Sequence, residues 1–195
     1  MLGTIFLLVI VGGAVLWVVG AYNGLIALKN QVANAFKQID VQLLRRHDLI
    51  TNLVETVKGA MQFERDTLEA VISARNQAVK AQGSGSVPAM AAAEQMLTGA
   101  LGRLFAVVEA YPELKATANV AQLQEELVST ENRVAFARQH YNDVTTQYNT
   151  RQAQFPTNLV TGLANATPAE LWELEDTAKR ALPKVDLGLR ATPRA

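Results

Sequence analysis

The chain has 195 residues, 18 basic and 18 acidic side chains, and no cysteine. The charge balance removes the electrostatic footprint of a general nucleic-acid binder. Lack of cysteine excludes disulfides, thiolate zinc and iron–sulfur sites, a Cys nucleophile and a lipid-bearing cysteine. Hydrophobic residues make up 49% and aromatic residues only 6%, which suits an aliphatic helical bundle better than a β-sandwich.

No charged side chain precedes Lys29, and Leu2 to Tyr22 is almost wholly apolar. Twenty-one helical residues rise about 31 Å, close to the thickness of a bilayer hydrocarbon core. Trp17 and Tyr22 fall toward the downstream end, where amphipathic rings favour the headgroup zone. A cleaved signal peptide is the alternative, with Val19-Gly20-Ala21 as a passable cleavage site. Against it, the first four residues carry no basic side chain, and the apolar run exceeds the ordinary core of a signal peptide, about 7–15 residues. The stretch is read as a membrane anchor. Lys29, Lys37, Arg45 and Arg46 follow it and nothing basic precedes it, so the positive-inside rule places the body in the cytoplasm.

Four amphipathic stripes follow. The first runs Leu25, Leu28, Val32, Phe36, Ile39 and Leu43, and stops at Arg45-Arg46-His47-Asp48. Asn52 with Glu55 then offers a capping box for a second helix, whose stripe is Leu53, Val54, Val57, Met61, Leu68, Val71, Ile72 and Val79. Gln82-Gly-Ser-Gly-Ser-Val-Pro88 reads as a flexible hairpin linker. The third stripe runs Met90, Ala93, Leu97, Ala100, Leu101, Leu104, Val107, Val108 and Tyr111, ending at Pro112. The fourth opens at Asn119 and keeps a near-heptad through Val120, Leu123, Leu127, Thr130, Val134, Ala137, Tyr141, Val144 and Tyr148 until Pro156. Short connections between four such helices predict an up-and-down antiparallel bundle. The fourth helix then returns toward the membrane, which sets Phe155-Pro156 near the bilayer. Residues Asn158 to Ala164 are expected on the interface or over the bundle's end. A short helix follows, with Thr167 as cap, Pro168 at its first position and Glu170 closing a capping box. Its apolar residues are Leu171, Trp172, Leu174, Ala178 and Leu182.

The expected architecture is therefore all-α: a transmembrane anchor over 1–22, a four-helix bundle over 23–157, and a tail with a short amphipathic helix over 158–195. Catalytic chemistry is hard to find. No Glu-x-x-His pair suits a di-metal bundle and no His-Glu-x-x-His motif occurs. His47 reads as a solvated turn residue beside Asp48, His140 as a flank residue, and Gly83-Ser-Gly85 as linker rather than phosphate loop. No catalytic residue, metal, cofactor or small-molecule substrate is expected. The candidate interaction residues are Arg45, Arg46, His47 and Asp48, read as a charged helix terminus or a contact surface, together with Glu64, Arg75 and Trp172. Glu64 and Arg75 lie too far apart on one helix to touch each other.

Tyr22-Asn-Gly-Leu-Ile-Ala-Leu-Lys-Asn30 and Ile39-Asp-Val-Gln-Leu-Leu-Arg-Arg-His-Asp-Leu-Ile-Thr-Asn-Leu-Val-Glu-Thr-Val-Lys-Gly59 strongly resemble the LemA family. Ala74-Arg-Asn76, Val108-Glu-Ala-Tyr-Pro-Glu-Leu-Lys115, Leu123-Gln-Glu-Glu-Leu127, Thr130-Glu131, Ala137-Arg138, Tyr141-Asn142, Tyr148-Asn149, Phe155-Pro156 and Pro183-Lys-Val185 extend the resemblance over nearly the whole chain. One departure is Thr51, where the family usually has proline; a kinked but continuous helix thereby becomes a second option at that point. The resemblance implies a membrane anchor and a helical-bundle domain and supplies no enzymatic activity. One family member is implicated in making magnetosome membranes, and others are encoded beside membrane proteases. The leading expectation is a non-enzymatic, single-pass protein of the bacterial inner membrane that forms a homo-oligomeric scaffold. The alternative is an adaptor for a membrane protease or signalling system that docks through the acidic helix carrying Trp172.

Overall fold

The computed structural model describes residues 1–59, 61, 64–115 and 117–173. Helix α1 runs unbroken over Leu2–Lys58, α2 over Arg65–Ser84, α3 over Val87–Glu109, a single turn α4 over Pro112–Lys115, and α5 over Ala118–Ala153. All described regular structure is helical, and the four long helices pack up and down as expected. Gln82 reaches back to Asp40, and Glu94 meets Arg46, so α2 runs against α1 and α3 runs with it. Contacts of Glu131 with Arg46 and of Tyr141 with Phe36 set α5 antiparallel to α1.

Several local expectations are corrected. The chain does not break at Arg45–Asp48; α1 continues through Asn52 to Lys58, and the connection falls over residues 59–64. Thr51 fits this continuity, because its hydroxyl donates to the His47 carbonyl inside the helix, whereas a proline would clash there. The apolar steps Ile39, Leu43, Ile50, Leu53 and Val57 form one buried stripe that passes straight through the charged block. Helix α2 buries Leu68, Val71, Ala74 and Ala78, while Ile72 and Val79 face solvent. The Gly/Ser stretch is shorter than a loose linker: α2 extends through Ser84, Gly85 takes the left-handed conformation (φ +69°) that ends helices, and Ser86 caps α3 by accepting from the Ala89 amide. Thr117, rather than Asn119, precedes the first residue of α5.

The core has two apolar clusters. The distal one joins all four helices, with Leu53, Val57, Leu68, Val71, Leu97, Leu104, Val120 and Leu127 among its members. The second lies nearer the N-terminal run and contains Ile39, Leu43, Met90, Val134, Tyr141 and Trp172. Below it the α2–α3 hairpin has ended, and α1 and α5 continue as a pair. Ala21 and Leu25 of α1 and Tyr148 and Gln152 of α5 are buried there, as are Thr157, Val160 and Ala164 of the tail.

Residues Leu2 to Gly20 contain no buried position, and burial begins at Ala21. Among the described residues, α1 is the helix long and apolar enough to cross a membrane. After α5 the chain makes a 3-10 turn over Thr157–Leu159 and then folds back along α5. The expected helix start at Thr167, Pro168 and Glu170 is absent; residues 166–173 are irregular. The further helix positions Leu174, Ala178 and Leu182, and Pro183-Lys-Val185, lie outside the described residues.

Candidate functional site

Between the two apolar clusters lies a layer of buried charge. Continuing the α1 stripe from Leu43 to Ile50 obliges Arg46 and His47 to occupy core positions, at 3% and 1% exposure. On α3, Glu94 sits within the stripe of Met90, Ala93 and Leu97 and is 3% exposed. A buried charge is tolerated only when it is paired and hydrogen-bonded, and the three helices supply those partners. Glu94 uses both oxygens: Oε2 accepts from Arg46 Nη1 at 3.0 Å, and Oε1 meets His47 Nε2 at 2.7 Å. Arg46 Nη2 donates to Glu131 Oε2 of α5 at 2.8 Å and to Thr98 Oγ1 at 2.9 Å. Glu131 Oε1 in turn faces Arg138 Nη2 at 3.6 Å. The Arg138 guanidinium lies 6.0 Å from the centre of the Trp172 ring, a cation–π arrangement. Burial holds the Arg138 pKa below its ordinary value, with Glu131 opposing that shift.

The result is an alternating ladder, His47–Glu94–Arg46–Glu131–Arg138–Trp172, which ties α1, α3, α5 and the tail together. The two carboxylates balance the two guanidiniums. Every oxygen of Glu94 and Glu131 already faces a nitrogen partner, so the ladder offers no open carboxylate ligand. It acts as a register lock, since sliding any one helix would strand a buried charge. Among the described residues no group of His, Asp and Glu is placed to hold a metal ion.

The sequence candidates therefore separate. Arg46 and His47 are core residues rather than a charged helix terminus, and His47 is not a solvated turn residue. Arg45 stays exposed and approaches Glu126 at 3.8 Å, and Asp48 faces solvent. Glu64 precedes α2 and accepts from the Tyr111 hydroxyl at 3.4 Å; Arg75 reaches Asn76 on its own helix. Neither belongs to the ladder. Trp172 is 4% exposed in the second cluster, so its ring is spent on its own bundle and is not free as a docking element. Sequence reasoning missed Glu94, Thr98 and Arg138 as partners. The available signal was a glutamate on the otherwise apolar face of α3.

The tail has its own receptor. The Asn142 side chain donates to the Trp172 carbonyl (3.1 Å) and accepts from the Trp172 amide (2.8 Å). Asn149 does the same with the Ala169 carbonyl (2.8 Å) and amide (2.9 Å). Tyr141 donates its hydroxyl to the Glu170 carbonyl at 2.7 Å. Burial raises the pKa of Tyr141, opposed by the neighbouring Thr145 hydroxyl and helped by the nearby Glu170 charge; burial also raises that of Tyr148.

The sequence model of the LemA family matches residues 35–187, a span that contains the ladder and the tail receptor and omits the apolar run. Magnetosome protein MamQ 2 of Paramagnetospirillum magneticum is 24% identical over 177 residues, covering 78% of this chain and 64% of its own. Protein LemA of Metamycoplasma hominis is 27% identical over 143 residues, covering 73% and 64%. Magnetosome protein MamQ of Magnetospirillum gryphiswaldense is 26% identical over 158 residues, covering 69% and 58%. The chain spans less than two thirds of the length of these curated relatives.

Proposed function

The chain belongs to the LemA family, and from that premise we propose that it is a single-pass membrane protein whose helical body serves as a non-enzymatic, homo-oligomeric scaffold on the cytoplasmic face of the bacterial inner membrane. The observation that carries this reading is the continuity of α1. One uninterrupted helix supplies both an exposed apolar run and, from Ala21 onward, a wall of the bundle core. No hinge separates span from body, so the orientation of the body is coupled to that of the span.

The foot of the bundle supports the same reading. Phe155, Leu159 and Leu163 are 80%, 69% and 68% exposed, while Thr157, Val160 and Ala164 of the same segment are buried. Lys29 donates to the Asn165 carbonyl at 3.1 Å, which fixes this segment beside the stretch of α1 that leaves the bundle. An apolar rim around the exit of a membrane span matches an interfacial seat. The charged groups of the interior are consumed by the register lock, which favours a structural role over catalysis. The magnetosome relatives are named for a cellular structure rather than a reaction, which agrees with a scaffold.

The adaptor alternative retains one observation. Val41 and Phe136 are 60% and 72% exposed, in a groove between α1 and α5 flanked by Lys37, Arg133 and His140. It no longer has the Trp172 helix to dock with. Light scattering on the full chain in mild detergent tests the scaffold. A particle of several copies is expected; a strict monomer at high protein concentration overturns it.

A further inference from the structure

The foot of the molecule differs in charge from the rest. Residues 21–39 of α1, and residues 144–169 at the end of α5 and the start of the tail, carry Lys29, Lys37 and Arg151 and no acidic side chain. From Asp40 to Asp143, acidic residues outnumber basic ones. The register of α1 against α5 gives each charge a height. Phe36 faces Tyr141, and Arg46 meets Glu131, ten residues further along both helices. In the same step Arg151 comes level with Ile26, about 6 Å beyond Tyr22 along the axis. Lys29 lies about 10 Å beyond Tyr22, and Lys37 about 22 Å. The lowest acidic groups, Asp143 and Glu170, stand level with Asn34 and Phe36. That is about 18–21 Å out, more than two Debye lengths of about 8 Å. The headgroup layer is roughly 5–8 Å deep on each side of a bilayer, and long basic stems bend toward it. Lys29 and Arg151, both exposed, are therefore the charges that reach it.

Ala153, the last residue of α5, is level with Gly24, so the segment after it starts at the height where the span ends. That segment points apolar side chains outward. Phe155, Leu159 and Leu163 recur every four residues, and Thr157, Val160 and Ala164 hold the segment inward. Its backbone closes on itself: the Asn158 amide donates to the Gln154 carbonyl at 2.9 Å, and the Ala164 amide to the Val160 carbonyl at 3.1 Å. Lys29 spends one of its three ammonium donors on the Asn165 carbonyl and keeps two. Arg151 offers a planar fork of donors suited to phosphate oxygens.

The geometry points to an anionic phospholipid site at the foot, in which Lys29 and Arg151 take headgroup phosphates and Phe155, Leu159 and Leu163 enter the acyl layer. It rests on the single-pass reading above and adds the class of lipid at the seat. Continuity with the span fixes the occupant: α1 leaves the bundle at the same height, so lipid is what the three apolar side chains meet. Charge then selects among lipids. A zwitterionic headgroup brings its own cationic group against Lys29 and Arg151, whereas an anionic one leaves its phosphate uncompensated. Each cation at an anionic surface is worth about a fivefold preference.

Leu159→Trp in a Trp17→Phe/Trp172→Phe background puts the one tryptophan at the foot. The full chain is reconstituted in mixed vesicles of phosphatidylglycerol and phosphatidylcholine, with bromine on the acyl chains of one lipid or the other. Normalised to lipid fraction, brominated phosphatidylglycerol should quench residue 159 at least about threefold better than brominated phosphatidylcholine. Lys29→Gln/Arg151→Gln should bring that ratio to about one while total quenching is retained. Arg151→Gln alone leaves the bond from Lys29 to Asn165 in place and should give an intermediate ratio. Raised salt should erode the preference. Equal quenching by the two lipids in the parent overturns the site and leaves the interfacial seat standing. A preference unchanged in both variants also overturns it, because other groups then select the lipid. Loss of the preference on adding inorganic phosphate, but not chloride at equal ionic strength, assigns the cations to a free anion and overturns the lipid site. A chain that washes off the vesicles removes the single-pass reading and the lipid site together.

Discussion

Replacing Glu94 by alanine tests the register lock. The substitution strands Arg46 Nη1 and His47 Nε2, which lie 3.0 and 2.7 Å from the lost oxygens. Breaking a buried pair by removing one partner costs about 3–5 kcal/mol. Arg46 keeps Glu131 and Thr98, and the Glu131 side chain is 38% exposed, so water shares in compensating the guanidinium. The expected loss is therefore at the lower end, about 3 kcal/mol, a large part of the roughly 5–15 kcal/mol that holds a domain folded. The companion variant removes all three groups together, with Arg46→Met, His47→Leu and Glu94→Leu. With no orphaned charge left, it should fall within about 1 kcal/mol of the parent or exceed it. Urea unfolding of the full chain in mild detergent, followed by circular dichroism, reads both. A Glu94→Ala loss below about 1 kcal/mol, or a triple variant as damaged as the single one, refutes the argument.

Three further outcomes follow from the tail and the foot. In a Trp17→Phe background, Trp172 is the remaining tryptophan. Tyr141 and Tyr148 have pKa values raised by burial, so the stability they confer is complete below the ordinary value of 10.0 and is lost as pH rises through the raised values. Ionised Tyr141 cannot donate to the Glu170 carbonyl, so Trp172 emission should shift to the red only above that ordinary value; a shift completed near neutrality contradicts this. Trp172→Ala should cost about 3 kcal/mol, by loss of a buried aromatic. Trp172→Phe should cost about 1 kcal/mol, because the buried indole Nε1 has no hydrogen-bond partner; equal losses on thermal melting would refute the distinction. In a background lacking Trp17 and Trp172, Leu159→Trp should be quenched by brominated lipid, and an unquenched signal removes the interfacial seat.

The residues explain which parts of the fold were readable. Helix α5 was legible because Val120, Leu127, Val134, Tyr141 and Tyr148 keep a strict period and the structure buries each of them. The ladder was hidden by a local rule: four polar residues together read as a helix end. The stripe Leu43–Arg46–Ile50 continues through them only because Glu94 arrives from a helix 48 residues away in sequence, a pairing no local pattern encodes. The tail failed for the opposite reason. Thr167, Pro168 and Glu170 form a sound capping pattern, but Asn142 and Asn149 claim the backbone amides and carbonyls that a helix would need. Tertiary contacts overrode local propensity in both places.

The number of copies per particle in the native membrane tests the scaffold most directly. Single-molecule counting of a fluorescently tagged full chain, in vesicles prepared without detergent, gives it. A membrane-anchored scaffold gives particles of several copies that stay with the membrane after salt washing. Single copies, or release of the chain from the membrane, would contradict it.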